Sequence, residues 1–228
     1  MIPNLGFTTA ISLFLNESDL KLDHIDYRRG TKIDGDWLLT CLTMDSSDKE
    51  KLTVTSADID ALPYVSHSYK ATNWLDQIQK TKLNNKEPRI INTELDPKFR
   101  MNVNQASLRI ISLPDAMIRA FIKSYIPDGE GKLKLDELIY NEIIKLKNNY
   151  KTAVLNNEDF KKYINSEQSQ VDLTKFVIHL TQFKTTSKNY LVNEEEHIPF
   201  INMMKKQFPK IKNEINAHRS HSSIYQKK

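Results

Sequence analysis

Glycine is scarce in this 228-residue chain, at five residues, and cysteine occurs once. With so few glycines, no phosphate-cradling loop of the usual kind is present. Neither GxGxxG nor GxxxxGK[ST] occurs, which sets aside both common nucleotide-binding classes. The single Cys41 excludes an internal disulfide and a cysteine-built zinc site. Within "DWLLTCLTM" it reads as a small core hydrophobe. Histidines are thinly spread at His24, His67, His179, His197, His218 and His221, and none forms a helical metal pair. No G-x-S-x-G elbow is present either. Catalysis therefore has no positive support, and the expectation is a protein without enzymatic activity, cofactor or metal.

Long apolar runs are also missing. Nothing approaches the roughly 20 residues that cross a bilayer. The stretch "MIPNLGFTTAISLFLN" has an apolar middle but no basic lead and no small-residue cleavage site, so it reads as part of the fold. The expected setting is cytoplasmic and reducing.

What is there suits a folded protein. Hydrophobic residues make up 39% of the chain and include two Trp, nine Tyr and nine Phe, enough to build a core. Thirty-three basic against 29 acidic residues leave a net charge of +4, a mild bias that permits an anionic partner.

Patterning along the chain predicts an α+β protein. Residues 1–111 read as a β-rich domain with one amphipathic helix. In it "LKLDHIDYRRGTKI" and "WLLTCLTM" flank an Asp34-Gly35 hairpin turn, "DSSDKEK" makes a polar turn, and "LTVT" closes a three-stranded antiparallel meander. Trp37, Leu39 and Cys41 then share one face. Ala71, Trp74, Leu75 and Ile78 recur at helical spacing, giving a helix that covers the sheet. "RIIN", "FRMNV" and "SLRII" read as further short strands, with Asp96-Pro97 as a turn.

Residues 112–217 read as a helical domain of helix–loop–helix units, and 218–228 as a flexible basic tail. Ser112 and Asp115 are spaced like an N-cap and its reciprocal partner, ahead of an apolar face of Met117, Ile118, Phe121, Ile122 and Tyr125. The C-terminal stripe Ile198, Ile201, Met204, Phe208, Ile211 and Ile215 is available for a protein partner or self-association.

The stretch "IPDGEGKLKLDEL" has close glycines, acids and a terminal glutamate. Setting Gly131 at the sixth position of a calcium loop puts Asp128 at three, Glu130 at five, Leu133 at eight and Glu137 at twelve. In this spacing the stretch resembles an EF-hand, and "INSEQSQVDLTKF" stands where the paired hand would be. The resemblance covers about Ser112 to Lys184 and implies that Leu133 and Val171 meet in a short ladder between the loops. It departs from the family's pattern at the ligands: Ile126 and Ile164 occupy position one, and Lys175 replaces the bidentate glutamate of the second loop. The implied module is a degenerate pair that binds a partner helix without calcium. The plainer reading is a turn that starts a helix.

A metal-dependent nuclease is a further alternative. It would need Pro114-Asp115 or Pro127-Asp128 on a strand beside Glu130-Gly131-Lys132, but one pair opens a helix and the other lies too close.

The best-distributed signal is basic. Arg28 and Arg29 adjoin Tyr27. Lys80, Lys82, Lys86 and Arg89 fall in one polar stretch, and Lys98 and Arg100 flank Phe99. Lys205, Lys206, Lys210 and Lys212 precede a tail that adds Arg219, Lys227 and Lys228. Such side chains contact phosphates, and neighbouring aromatics can stack on bases. The leading expectation is a non-enzymatic binding or assembly protein that holds nucleic acid or another polyanion. A viral or phage structural or accessory protein would suit this size and charge.

Overall fold

The computed structural model describes residues 4–17, 25, 26, 28–32, 39, 53–63, 96–113, 115–126, 129, 131–182, 209 and 213. These residues are 77% helix and 3% strand, which overturns the β-rich N-terminal part. The described elements are α1 (Leu5–Phe14), β1 (Ile25–Asp26), β2 (Thr31–Lys32), α2 (Ser56–Ala61), α3 (Pro97–Ser112), α4 (Asp115–Tyr125), α5 (Lys132–Asn156), α6 (Glu158–Ile164) and α7 (Glu167–Gln182). The chain forms two compact units, one of residues 1–107 with 146–157, the other of 108–145 with 158–228. The Asp34-Gly35 hairpin, Trp37, Cys41, the helix around Trp74 and the C-terminal stripe lie outside the described residues.

In the first unit, α1 is apolar or small on nearly every side and is buried accordingly, at Leu5, Gly6, Thr8, Thr9, Ala10, Ser12 and Leu13. Thr9 satisfies its hydroxyl by donating to the Leu5 carbonyl at 3.0 Å, so burial leaves it no orphan. The helix stops in a Schellman arrangement. Glu17 N–H donates to Ser12 O at 2.9 Å and Asn16 N–H to Leu13 O at 3.2 Å. Asn16 supplies the left-handed residue with φ 50°, a conformation that Asn tolerates better than most residues.

α1 lies close against α3. A Cβ on Gly6 would sit 2.5 Å from the Phe99 carbonyl oxygen and 2.8 Å from Asn102 Cβ, so only glycine permits this approach. Phe99, Val103 and Ala106 of α3 are buried, as are Tyr150, Ala153 and Val154 of α5. Tyr150 is fully buried; its hydroxyl pairs with Ser107 Oγ at 3.0 Å, and its ring meets Phe14 edge-on at 5.8 Å.

The strands expected over 99–103 and 107–111 are one continuous helix. Asp96 Oδ1 accepts from Lys98 N–H at 2.7 Å, so Asp96 is an N-cap. Pro97 takes the first helical position, where its missing N–H costs nothing. Asp-Pro thus starts a helix here instead of making a strand-to-strand turn. Within "LTVT", residues 53–55 likewise form no strand. Thr55 caps α2, accepting from Asp58 N–H at 3.3 Å while Asp58 Oδ2 accepts from Thr55 N–H at 2.8 Å, a reciprocal capping box. Leu39, expected on a strand face, sits in a turn with φ 57° and donates its N–H to Leu15 O at 2.9 Å.

In the second unit, α4 buries Met117, Ile118 and Ile122 and leaves Asp115 and Lys123 exposed. Ser112 does not cap α4. It is the last residue of α3, and its buried Oγ has no hydrogen-bond partner among the described residues. α6 and α7 pack on each other, burying Phe160, Tyr163, Ile164, Leu173 and Phe176.

Leu133 lies in the first turn of α5 and Val171 inside α7, so the short ladder implied by the EF-hand resemblance is not formed. Millimolar calcium is accordingly expected to leave the melting temperature unchanged. An ion at about 100 times its Kd would stabilise the folded state by about 2.7 kcal/mol, readily seen in a thermal melt.

Candidate nucleic-acid interface

The basic pair Arg28-Arg29 occupies a tight turn, not the interior of the long strand expected over 20–33. β1 and β2 pair antiparallel, Ile25 opposite Lys32 and Asp26 opposite Thr31. Between them the Asp26 carbonyl accepts from Gly30 N–H at 2.6 Å and Arg29 N–H at 3.2 Å. Gly30 closes the turn with φ 65°, which glycine adopts without steric cost. The Asp26 side chain joins in: its Oδ1 accepts from Arg28 N–H at 2.9 Å, an Asx-turn contact.

The turn is fastened to α1. Thr8 Oγ1 donates to the Gly30 carbonyl, and Asn4 Nδ2 donates to the Arg29 carbonyl at 3.1 Å. Two backbone carbonyls of the turn are therefore held by side chains of the N-terminal turns of one buried helix. Both arginine side chains remain outside. Arg28 is exposed, and the Arg29 side chain is 81% exposed with its Nε 3.9 Å from Asp26 Oδ2.

α1 also contacts the second described basic element. Gly6, two residues beyond Asn4, touches the α3 backbone at Phe99, next to the exposed Lys98. Arg100 has a different occupation. Its guanidinium donates to the Ile59 carbonyl at 3.2 Å and the Asp60 carbonyl at 2.6 Å, satisfying the end of α2. Arg100 thus ties α2 to α3, a role its position beside Phe99 in sequence did not reveal. Of the sequence-derived candidates, Lys80, Lys82, Lys86, Arg89, Lys205, Lys206, Lys210 and Lys212 lie outside the described residues.

Comparison with known proteins gives no match. No family model, curated protein or solved structure is similar to the chain at a significant level.

Other side-chain clusters tie elements together. In the second unit, Asp172 accepts from the Tyr163 hydroxyl at 2.9 Å and from Gln168 Nε2 at 2.9 Å. Burial pushes the Tyr163 hydroxyl well above the ordinary tyrosine range, and its bond to Asp172 adds to the shift. Arg109 lies 5.3 Å over the Phe176 ring, and its charge acts on Asp172. Arg119 stacks 3.8 Å over Tyr140 and pairs with Glu137, joining α4 to α5. No sequence pattern marks the contacts of Tyr163 with Asp172, Arg109 with Phe176 or Arg119 with Glu137, because each joins two different elements.

Among the described residues no group of three or more His, Cys, Asp or Glu is placed to hold a metal ion. Asp115, one acid of the nuclease alternative, opens α4 as an exposed residue, while Asp128 and Glu130 lie outside the described residues. No described helix is long and apolar enough to cross a membrane.

Proposed function

We propose that this chain is a non-enzymatic binding protein that acts inside the cell and holds nucleic acid through the phosphate backbone. The observation that carries the reading is the stapled turn: two adjacent arginines, both exposed, on a backbone fixed by Asp26, Gly30, Thr8 and Asn4. A guanidinium forks onto phosphate oxygens through paired N–H donors, and a rigid turn spares it the ordering cost that a mobile loop bears. Lys98, on the helix that α1 contacts, adds a further exposed cation in the same unit. The overall charge of +4 agrees in sign.

Contacts of this kind read backbone charge and not base edges. Charge reversal by Arg28→Glu with Arg29→Glu is therefore expected to weaken binding of unrelated single-stranded sequences by the same factor. Fluorescence anisotropy with several labelled oligonucleotides at low salt measures this. Binding by the double variant equal to that of the wild type would refute the assignment to this turn.

A further inference from the structure

Asp26 sits in an unusual place for a protein that grips an anion. Its carboxylate is part of the same turn as the two arginines, and its side chain is 31% exposed. One oxygen shapes the turn by accepting the Arg28 N–H at 2.9 Å, and the other lies 3.9 Å from Arg29 Nε. These are separable roles. The first needs only an oxygen acceptor, which asparagine or serine also supplies. The second needs a negative charge.

Resting on the nucleic-acid reading above, we infer that Asp26 is a built-in attenuator of the turn: it positions the arginines while its charge competes with the phosphate for Arg29. Asp26, Arg28 and Arg29 together carry a net +1, from two cations less one anion, where a neutral residue 26 would leave +2. The internal ion pair is exposed and at the outer limit of contact, so it holds Arg29 weakly and yields to a phosphate at little cost. The carboxylate stays in place when the phosphate arrives and repels it. Asp26 is thus a positioning residue that also keeps the contact reversible.

The test uses the full chain and a labelled oligothymidine. Asp26→Asn keeps the acceptor and removes the charge. Its affinity is expected to rise about threefold at low salt, the size of one charge acting over about 6 Å in water. The gain should shrink as salt screens the charge, with an unchanged melting temperature. Asp26→Ser, also neutral and oxygen-bearing, should give the same gain and guards against a folding defect peculiar to one variant. If both neutral variants bind like the wild type at every salt concentration while Arg28→Glu with Arg29→Glu still weakens binding, the attenuator is refuted and the interface stands. If the wild type does not bind the oligothymidine and the arginine reversals change nothing, the interface itself is refuted and the attenuator with it.

Discussion

Tyr150→Ala is expected to destabilise the first unit by about 3–5 kcal/mol, the range for removing a large aromatic from a packed interior. The residue is 0% exposed, so its ring loses every contact at once, among them the edge of Phe14. The hydroxyl makes a smaller contribution. Tyr150→Phe keeps the ring but leaves Ser107 Oγ without the 3.0 Å partner, a cost of about 1–3 kcal/mol. Urea unfolding of the two variants separates ring from hydroxyl; near-equal midpoints for Ala and Phe would show that the ring is not packed as described.

The same residue brings an alkaline liability. Burial raises the Tyr150 hydroxyl above its ordinary value, because a phenolate in that site would have no water around it. The folded state then holds a proton that the unfolded state gives up once pH passes about 10. Above that pH the folded state binds more protons than the unfolded one, so stability falls as pH rises. This contribution is complete below pH 10 and is lost progressively above it. Tyr150→Phe should remove part of the decline. Tyr163, raised for the same reason, retains its own share.

Asp172→Ala is expected to cost the second unit about 1.5–3 kcal/mol, the range for losing a hydrogen bond to a charged group, because it leaves the buried Tyr163 hydroxyl without its acceptor. The carboxylate is 6% exposed and accepts from both Tyr163 and Gln168. Burial pulls the Arg109 guanidinium below its ordinary range, and Asp172 opposes that pull. Removing the acid leaves the arginine half-buried without that opposing charge. Asp172→Asn keeps an oxygen for the tyrosine but no charge, so its stability should fall between alanine and wild type. An order in which asparagine is as destabilising as alanine would assign the whole effect to charge and none to the Tyr163 bond.

Legibility in the sequence followed the kind of signal available. Helices α4 to α7 show regular apolar spacing, and periodicity alone indicates helix there. The N-terminal half misleads because its helix-forming segments are rich in residues that also favour strands. Phe99, Val103, Ile110 and Ile111 look like strand material in pairs, yet Phe99, Val103, Ala106 and Ile110 lie on one helical face. The decisive mark was Asp96-Pro97, an N-cap followed by a first-turn proline, which also fits a turn between strands. Thr55 with Asp58 is a second start signal, hidden because its reciprocal partner is Asp in place of the usual Glu.

The basic turn was half visible. Arg28-Arg29 stands out by composition, but Gly30 at φ 65° gave the turn away only with its hydrogen bonds to Asp26. Asn4 and Thr8, which fasten it, are more than 20 residues away in sequence and carry no pattern that links them to it. Arg100 shows the opposite failure. Sequence grouped it with the phosphate-reading cations, whereas long-range geometry binds it to the carbonyls of Ile59 and Asp60. Charge is legible in a sequence; whether a charge is already occupied is not.

The most direct test of the basic-turn account is the salt dependence of wild-type binding to single-stranded DNA. Each arginine that contacts a phosphate displaces condensed counterions, so the log of the affinity should fall linearly with the log of salt, by about 0.7 per contact. Replacing Arg28 and Arg29 together by Gln removes two contacts, so the slope is expected to become shallower by about 1.4. A wild-type protein with no measurable affinity at low salt, or a slope unaltered by that double replacement, would contradict the account.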